Sequence, residues 1–242
     1  MDEVQIFSTC LAEEFFPEVP TAAAAVLEKQ GLRVRVARGA FCCGQVAFNE
    51  GLRRDALELA RRFLDGFDTR APIVIPSGSC AAMVKIFYRD LLADDPSLRH
   101  KAQEIAPRVF EFSQFLVNEL KVKDVGARFE RTVAYHPSCH LLRELGARDE
   151  PLRLLSGVRG IRLCELRNRE ECCGFGGLFS VKFPHISAAM LEDKLNRVAE
   201  SGAEVLTAND CGCLMHIAGG AHRRGMTLET LHLAQVLASQ QG

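Results

Sequence analysis

Ten cysteines are the residues of this 242-residue chain whose type and spacing could do chemistry. Eight of them fall into two sets of the same order: a single cysteine, a vicinal pair followed by glycine, and a later single cysteine. The first set is Cys10, Cys42, Cys43 and Cys80, and the second is Cys139, Cys172, Cys173 and Cys213. Equivalent positions lie between 129 residues apart, for Cys10 and Cys139, and 133 apart, for Cys80 and Cys213. This matching order predicts an internal duplication.

Three kinds of chemistry compete for these thiols. Disulfides are disfavoured because vicinal cysteines pair only with strain and a reducing compartment keeps thiols free. Structural zinc usually shows pairs at C-x₂₋₄-C spacing, and the closest approach here is Cys211 with Cys213. Iron–sulfur clusters need thiolates from separate segments, and glycines such as Gly44 and Gly174 let the backbone approach a bulky core. The residues favour iron–sulfur, and they leave zinc, thiol redox chemistry and plain core cysteines open.

The elements that must position the cysteines alternate between strand and helix. Strand patterns cover 4–8, 32–37 and 72–76 in the first half and 132–135, 161–166 and 204–207 in the second, and a cysteine group follows each. The chain is therefore predicted to be α/β, with two tandem homologous repeats over 1–125 and 126–242. Each would be a small parallel sheet flanked by helices, with its cysteines at the carboxyl ends of the strands.

Composition narrows the class of protein. Hydrophobic residues make up 48% of the chain and charged residues 25%, with a formal net charge of −1. No dense basic run is present, so no nucleic-acid partner is expected. Apolar runs such as 21–27 are too short to span a membrane, and no export signal is evident, so a cytoplasmic location is expected.

Several motifs make the chain resemble the CCG cysteine-rich family. They are FFPEV at 15–19, CCGQ at 42–45, PSGSC at 76–80, HPSCH at 136–140, CCGFGG at 172–177 and GCLM at 212–215. The family includes the cysteine-rich subunit of heterodisulfide reductase and the iron–sulfur subunits of glycolate oxidase and anaerobic glycerol-3-phosphate dehydrogenase. The chain is most similar to its short two-repeat lactate-utilisation group, and the resemblance covers essentially the whole sequence.

The resemblance implies an iron–sulfur electron-transfer component of a complex that oxidises L-lactate to pyruvate. It implies two partner subunits, an iron–sulfur ferredoxin-type protein and a third small protein. It also implies one or two clusters per chain, of the [4Fe–4S] type, held by the eight paired cysteines, with Cys211 as an additional candidate and zinc as the alternative metal. A thiol- or disulfide-active reductase subunit, like that of heterodisulfide reductase, and a zinc-stabilised binding module are the alternative functions.

The chain departs from the fullest family pattern at two positions. Ser77 and Asp210 stand where the first cysteine of a C-x-x-C pair would be, which leaves the cluster type open. His136 and His140 flank Cys139, and orientation of sulfur or hydrogen bonding to it is favoured over metal ligation. Cys164 lies in a predicted strand and is expected to be a core residue. No nucleotide-binding motif is present, so a hydride acceptor is expected in a partner.

Overall fold

Two four-stranded parallel sheets of the same topology form the framework of the computed structural model, which describes residues 2–37, 42–67 and 70–241. The strands in chain order are β1 (Glu3–Ile6), β2 (Arg33–Val36), β3 (Ile73–Ile75), β4 (Val109–Glu111), β5 (Arg128–Phe129), β6 (Thr132–His136), β7 (Arg162–Cys164), β8 (Val205–Ala208), β9 (Glu229–His232) and β10 (Gln240–Gln241). The sheets have the orders β2-β1-β3-β4 and β7-β6-β8-β9, and β5 pairs separately with β10.

Helices connect the strands and cover the sheets. They are α1 (Cys10–Phe15), α2 (Glu18–Lys29), α3 (Gln45–Asn49), α4 (Arg53–Asp65), α5 (Gly78–Ala82), α6 (Tyr88–Leu91), α7 (Pro96–Ile105), α8 (Phe112–Gln114), α9 (Cys139–Arg143), α10 (Glu150–Ser156), α11 (Phe179–Lys182), α12 (Pro184–Ser201), α13 (Cys211–Arg223) and α14 (Leu233–Ala238). Single π-helical segments, Met83–Phe87 and Phe115–Glu119, extend α5 and α8.

The predicted α/β fold with two equivalent parallel sheets is confirmed. Each inner strand is short and rich in β-branched residues, as β3 shows with three fully buried residues, Ile73 to Ile75. The fourth strand of each sheet, β4 and β9, was not predicted. Each runs directly into a helix, so no turn residue separates the strand residues from the helical ones.

The two halves share a hydrophobic core, which lies beside a separate hydrophobic cluster in each half. Helix α2 of the first half packs against α14, and their buried residues Leu27 and Leu237 belong to one cluster with residues of both sheets. The Lys29 ammonium donates to the Gly126 carbonyl at 3.0 Å, across the predicted boundary between residues 125 and 126. That boundary stays a prediction, but the shared core indicates that the halves stabilise each other.

Truncation of Leu237 to alanine should destabilise the whole chain. The side chain is 1% exposed in the shared core, so Leu237→Ala should lower the free energy of unfolding by about 2–5 kcal/mol. Leu163→Ala, at a leucine that is 41% exposed on β7, is the matched control and should cost under about 1 kcal/mol. Urea denaturation should show a single transition that shifts as a unit; two transitions, of which only one shifts, would contradict a shared core.

Candidate functional site

The cysteines lie on the turns at the carboxyl edge of each sheet. In the first half, Cys10 opens α1 after β1, and Cys80 lies in α5 after β3. Two N-caps fix these turns, because the Thr9 hydroxyl accepts from the Ala12 N–H and the Ser77 hydroxyl accepts from the Cys80 N–H. In the second half, the equivalent turns follow β6, β7 and β8.

The four cysteines of the first set form a chain of contacts, in which each thiol touches the next. The Cys10 and Cys43 thiols both donate to Cys42 Sγ, and Cys43 also donates to Cys80. These hydrogen bonds, with help from the Gly44 N–H, hold the pKa of the Cys42 thiol far below its usual value, at about 3. The same contacts and burial raise the pKa values of Cys10 and Cys43. One thiolate is therefore surrounded by thiols in the first half.

The second set repeats this arrangement. Hydrogen bonds from Cys139 and Cys173 lower the pKa of Cys172 to about 2, although burial opposes the shift. Cys173 also donates to Cys213, and this bond is the main cause of a lowered Cys213 pKa of about 6, with His136 acting in the same direction. The structure thus brings together both sets of cysteines that the sequence predicts as ligands, while their role as ligands stays a prediction.

Backbone N–H groups support the charged sulfur in each half. The Gly44 N–H lies 3.4 Å from Cys42 Sγ, and the Gly174 N–H lies 3.3 Å from Cys172 Sγ. Both glycines have positive φ angles, +83° and +89°, which side chains rarely adopt. A Cβ at Gly174 would also lie 2.6 Å from the Ser187 carbonyl oxygen. The glycine of each vicinal motif is therefore required for this contact.

Both sets line one cavity of about 230 Å³ between the halves. Its wall also carries Gln45, Ser79, Phe175 and Asp210. No lysine or arginine lies among the described residues of the wall, and Asp210 is its one acid. The cavity therefore presents sulfur, neutral polar groups, the His140 imidazole and a carboxylate.

The two residues that replace the first C-x-x-C cysteines contact each other across the halves. The Ser77 hydroxyl donates to Asp210 Oδ1 at 2.6 Å, and Ser79 donates to the same oxygen through its hydroxyl at 2.7 Å and its N–H at 3.1 Å. Asp210 precedes α13 but leaves that helix uncapped. It ties the start of α5 to the second half instead. Asp210 Oδ2 is buried without a hydrogen-bond partner among the described residues.

The two flanking histidines lie in different surroundings. His136 is fully buried, and one of its ring nitrogens lies with Cys173 Sγ and Cys213 Sγ in a group whose atoms are all within 4.8 Å of one another. His140 lines the cavity, and its ring meets Phe87 edge-on at 6.1 Å. His136 is thus the histidine that could act on the second set directly.

The two remaining cysteines also differ. Cys211 is buried, lines the cavity and has a pKa that burial raises, so it fits an additional thiol near the site. Cys164 is half-buried on the edge strand β7, where it packs against the core of the second half. It is not among the described residues that line the cavity. Cys164 therefore lies at the margin of this core and is not fully buried in it, as its interpretation as a core residue would require.

A buried polar network at the interface between the halves was missed by sequence reasoning. Asn209 donates to Glu111 Oε1 at 2.8 Å and accepts from the Tyr135 hydroxyl at 2.9 Å. Glu111 Oε2 accepts from the N–H groups of Ser113 and Gln114, which caps α8. Burial raises the pKa of Glu111 to about 7 despite these hydrogen bonds. No motif marks these residues, which become neighbours only in the fold.

Lys194 was also missed, although the sequence carries a signal for it. It occupies the buried face of α12 with Leu191, Leu195 and Val198, where an apolar residue is expected. The residue is 1% exposed, and its ammonium donates to the carbonyls of Asn168 and Arg169 at 3.4 and 3.2 Å. A lysine inside an apolar helical stripe is the feature that would have revealed it.

The fold and the paired cysteine motifs define the class of protein. The chain matches the CCG cysteine-rich domain family twice, over residues 4–85 and 133–218. A crystal structure of a hypothetical protein from Helicobacter pylori has the same fold, with a TM-score of 0.62 at 13% identity, over 98% of this chain and 48% of that one. No helix among the described residues is long and apolar enough to cross a membrane.

Full-length relatives narrow this class further. Lactate utilization protein A of Shouchella clausii is 45% identical over 98% of this chain and 99% of its own length. The protein of the same name from Bacillus subtilis is 42% identical over 98% of this chain and all of its own. The chain therefore belongs to the lactate utilization protein A family of CCG cysteine-rich proteins. Its cysteine and histidine groups are compatible with a metal cluster.

The raised pKa of Glu111 predicts that the chain loses stability as pH rises. Between pH 4.5 and 7 the unfolded state releases the Glu111 proton while the folded state keeps it, so unfolding becomes easier by up to about 1.4 kcal/mol per pH unit. Glu111→Gln should remove this part of the slope, measured as the difference from the native chain in urea denaturation of the metal-free protein. Glu58→Gln, on the surface of α4, should leave the slope unchanged. Parallel slopes for the native chain and Glu111→Gln would contradict the shift.

Proposed function

We propose that this chain is an iron–sulfur electron-transfer component of a complex that oxidises L-lactate to pyruvate. The observation that carries the proposal is the convergence of two equivalent four-cysteine sets on one cavity. The proposed ligands are Cys10, Cys42, Cys43 and Cys80 for the first centre and Cys139, Cys172, Cys173 and Cys213 for the second. The names of the full-length relatives supply the connection to lactate.

The donor chemistry of the site fits an iron–sulfur cluster. Four thiols approach one another in each half, as many as an ordinary [4Fe–4S] cluster takes. In each half a backbone N–H lies against the sulfur with the lowest pKa. Hydrogen bonds to sulfur are one of the factors that set the reduction potential of an iron–sulfur cluster. Such a cluster, when bound, would accept and release single electrons. Two per chain, of the [4Fe–4S] type, is our proposal.

The protein's own groups would hold the thiolates and limit water. The Gly44 and Gly174 N–H groups donate to sulfur, which stabilises negative charge on it. Buried Cys43 and Cys173 lie on the inner side of each set, against the cores of their halves. Phe175 covers part of the cavity wall. These groups orient ligands, and none of them is a hydride acceptor.

The charge of the cavity supports a division of labour with partner subunits. A lactate carboxylate entering it would meet the Asp210 carboxylate on the wall, which is a repulsive contact in a buried site. Lactate would therefore be oxidised on a partner, and this chain would carry the electrons. We propose the ferredoxin-type iron–sulfur protein and the third small protein as these partners, and the cytoplasm as their location.

Removal of a proposed ligand should remove metal. Cys172→Ala deletes the sulfur that two thiols and the Gly174 N–H surround, so anaerobically purified variant protein should hold about half the iron and sulfide of the native chain. Growth on lactate should be lost. Cys164→Ala, at the half-buried cysteine away from the cavity, is the matched control and should keep both properties. Equal losses in the two variants would defeat the ligand assignment, and zinc without sulfide in the native chain would favour a zinc-stabilised module.

The isolated chain should not oxidise lactate. Because the cavity wall offers an acid and thiols to a carboxylate substrate, we expect no turnover of L-lactate by the iron-loaded chain with an artificial electron acceptor. Addition of the two partner subunits should restore turnover. Pyruvate formation in an anaerobic assay is the measurement, and sustained turnover by the isolated chain would show that it contains the substrate site.

A further inference from the structure

The two cysteine sets have different surroundings although their folds are equivalent. Phe7 follows β1 and lies three residues before Cys10, while His136 ends β6 and lies three residues before Cys139. These positions are therefore equivalent in the duplication. Both side chains are fully buried, so an apolar ring in the first half corresponds to an imidazole in the second.

A second pair of equivalent positions follows from the glycine contacts. A Cβ at Gly44 would lie 3.3 Å from Leu59 Cβ on α4, and one at Gly174 would lie 3.0 Å from Met190 Cβ on α12. Leu59 and Met190 are therefore equivalent. One helical turn further on, Phe63 corresponds to Lys194. Both side chains are buried, at 0% and 1% exposure.

The two positions lie next to each other in the first half. The rings of Phe7 and Phe63 pack edge to face, with centroids 4.8 Å apart. The first cysteine set thus has apolar aromatic rings at these two positions. In the second half the same two positions hold His136 and Lys194, so the duplication replaces an apolar aromatic pair by an imidazole and an ammonium.

Both replacements act on the cysteines of the second set. Lys194 lies on α12 between Leu191 and Leu195, which pack with Cys173 in one buried cluster. Burial lowers the pKa of Lys194, and thiolate charge on the second cysteine set opposes that shift. One nitrogen of His136 lies within 4.8 Å of Cys173 Sγ and Cys213 Sγ, and its interaction with Cys213 favours the thiolate of that cysteine. A buried imidazole needs a polar partner, and the sulfurs of the second set lie within its reach.

A nearby positive charge favours the more negative, reduced form of a metal centre, and so do hydrogen bonds to its sulfurs. In the first set, by contrast, the contacts that shift the thiol pKa values are with other cysteines and with neighbouring backbone. This holds for Cys10, Cys42 and Cys43. Asp210, the counterpart of Ser77, opposes the lowered pKa of Cys213 in the second set, and it accepts hydrogen bonds from Ser77 and Ser79 beside Cys80 of the first set. The exposed Arg143 adds to the positive field at Cys139. The buried basic groups that act on one set alone are therefore His136 and Lys194.

We propose that His136 and Lys194 give the second centre a higher reduction potential than the first, so that electrons shared between the two centres reside on the second. This inference rests on the proposed iron–sulfur function and adds an electron-accepting end to it. His136 and Lys194 act on the second centre indirectly, through the cysteines that would hold it. Neither is assigned a part in the chemistry of the substrate.

Anaerobic redox titration of the iron-loaded full chain, followed by electron paramagnetic resonance, tests the proposal. The native chain should show two couples. Cys42→Ala should retain only the higher one, and Cys172→Ala only the lower one. Equal potentials, or the higher couple in Cys172→Ala, would overturn the inference.

Two substitutions that make the second half resemble the first should lower the potential of the higher couple alone. Lys194→Met keeps the length of the side chain and removes its charge, and His136→Phe introduces the residue found at the equivalent position of the first half. Each should weaken reduction of the second centre at least tenfold, which is about 59 mV for a one-electron couple. Lys194→Arg keeps the charge and should keep the potential. Arg167→Met removes an exposed charge of the second half and should shift neither couple.

The outcomes separate this inference from the proposed function. Equal shifts of both couples in Lys194→Met, or no shift in either variant, would contradict the inference and leave electron transfer standing. Assembly of a single centre in the native chain would do the same. A chain that binds neither iron nor sulfide would remove the proposed function and the inference together. If His136→Phe fails to fold, Lys194→Met decides, because a buried methionine costs less free energy than a buried ammonium.

Discussion

Parallel pairing of short strands is the constraint on which the chemistry of this chain depends. Because β1, β2 and β3 run in one direction, the turns after them meet at one edge and carry their cysteines there. The helices that begin at this edge are capped by Thr9 and Ser77, which fixes where Cys10 and Cys80 point. The second sheet does the same, so eight thiols converge without any local C-x-x-C pair.

The interface between the halves turns two such edges into one cavity. Part of this interface is polar, and equivalent positions of the two halves make its hydrogen bonds differently. Glu111 caps α8 through the N–H groups of Ser113 and Gln114, while its counterpart His232 caps α14 through the N–H of Ala234. Ser77 and its counterpart Asp210 hydrogen-bond to each other. A pair of cysteines at those two positions would offer more sulfur but would lose this link between the halves.

Much of this arrangement was predictable from the sequence because the duplication leaves a regular signal. Cysteine order and strand period gave the α/β class, the edge location of the cysteines and the role of glycines such as Gly174 in approaching sulfur. The strands β4 and β9 were not predicted because each continues into a helix with no turn residue between them. The network of Glu111 with Asn209 joins residues 98 apart, and no spacing rule anticipates such a contact. That both sets line one cavity required the relative placement of the halves.

The residues that differ between the two equivalent halves matter most for the direction of electron transfer. Two identical centres on one cavity would share an electron equally, so an ordered transfer needs a difference between them. Exposed charges are a weak source of one because solvent screens them. The Lys194 ammonium and the His136 imidazole are buried, where an electrostatic interaction is strong, and their counterparts Phe7 and Phe63 are apolar rings. A duplicated fold thus supplies two similar sites, and two buried substitutions are sufficient to make them unequal.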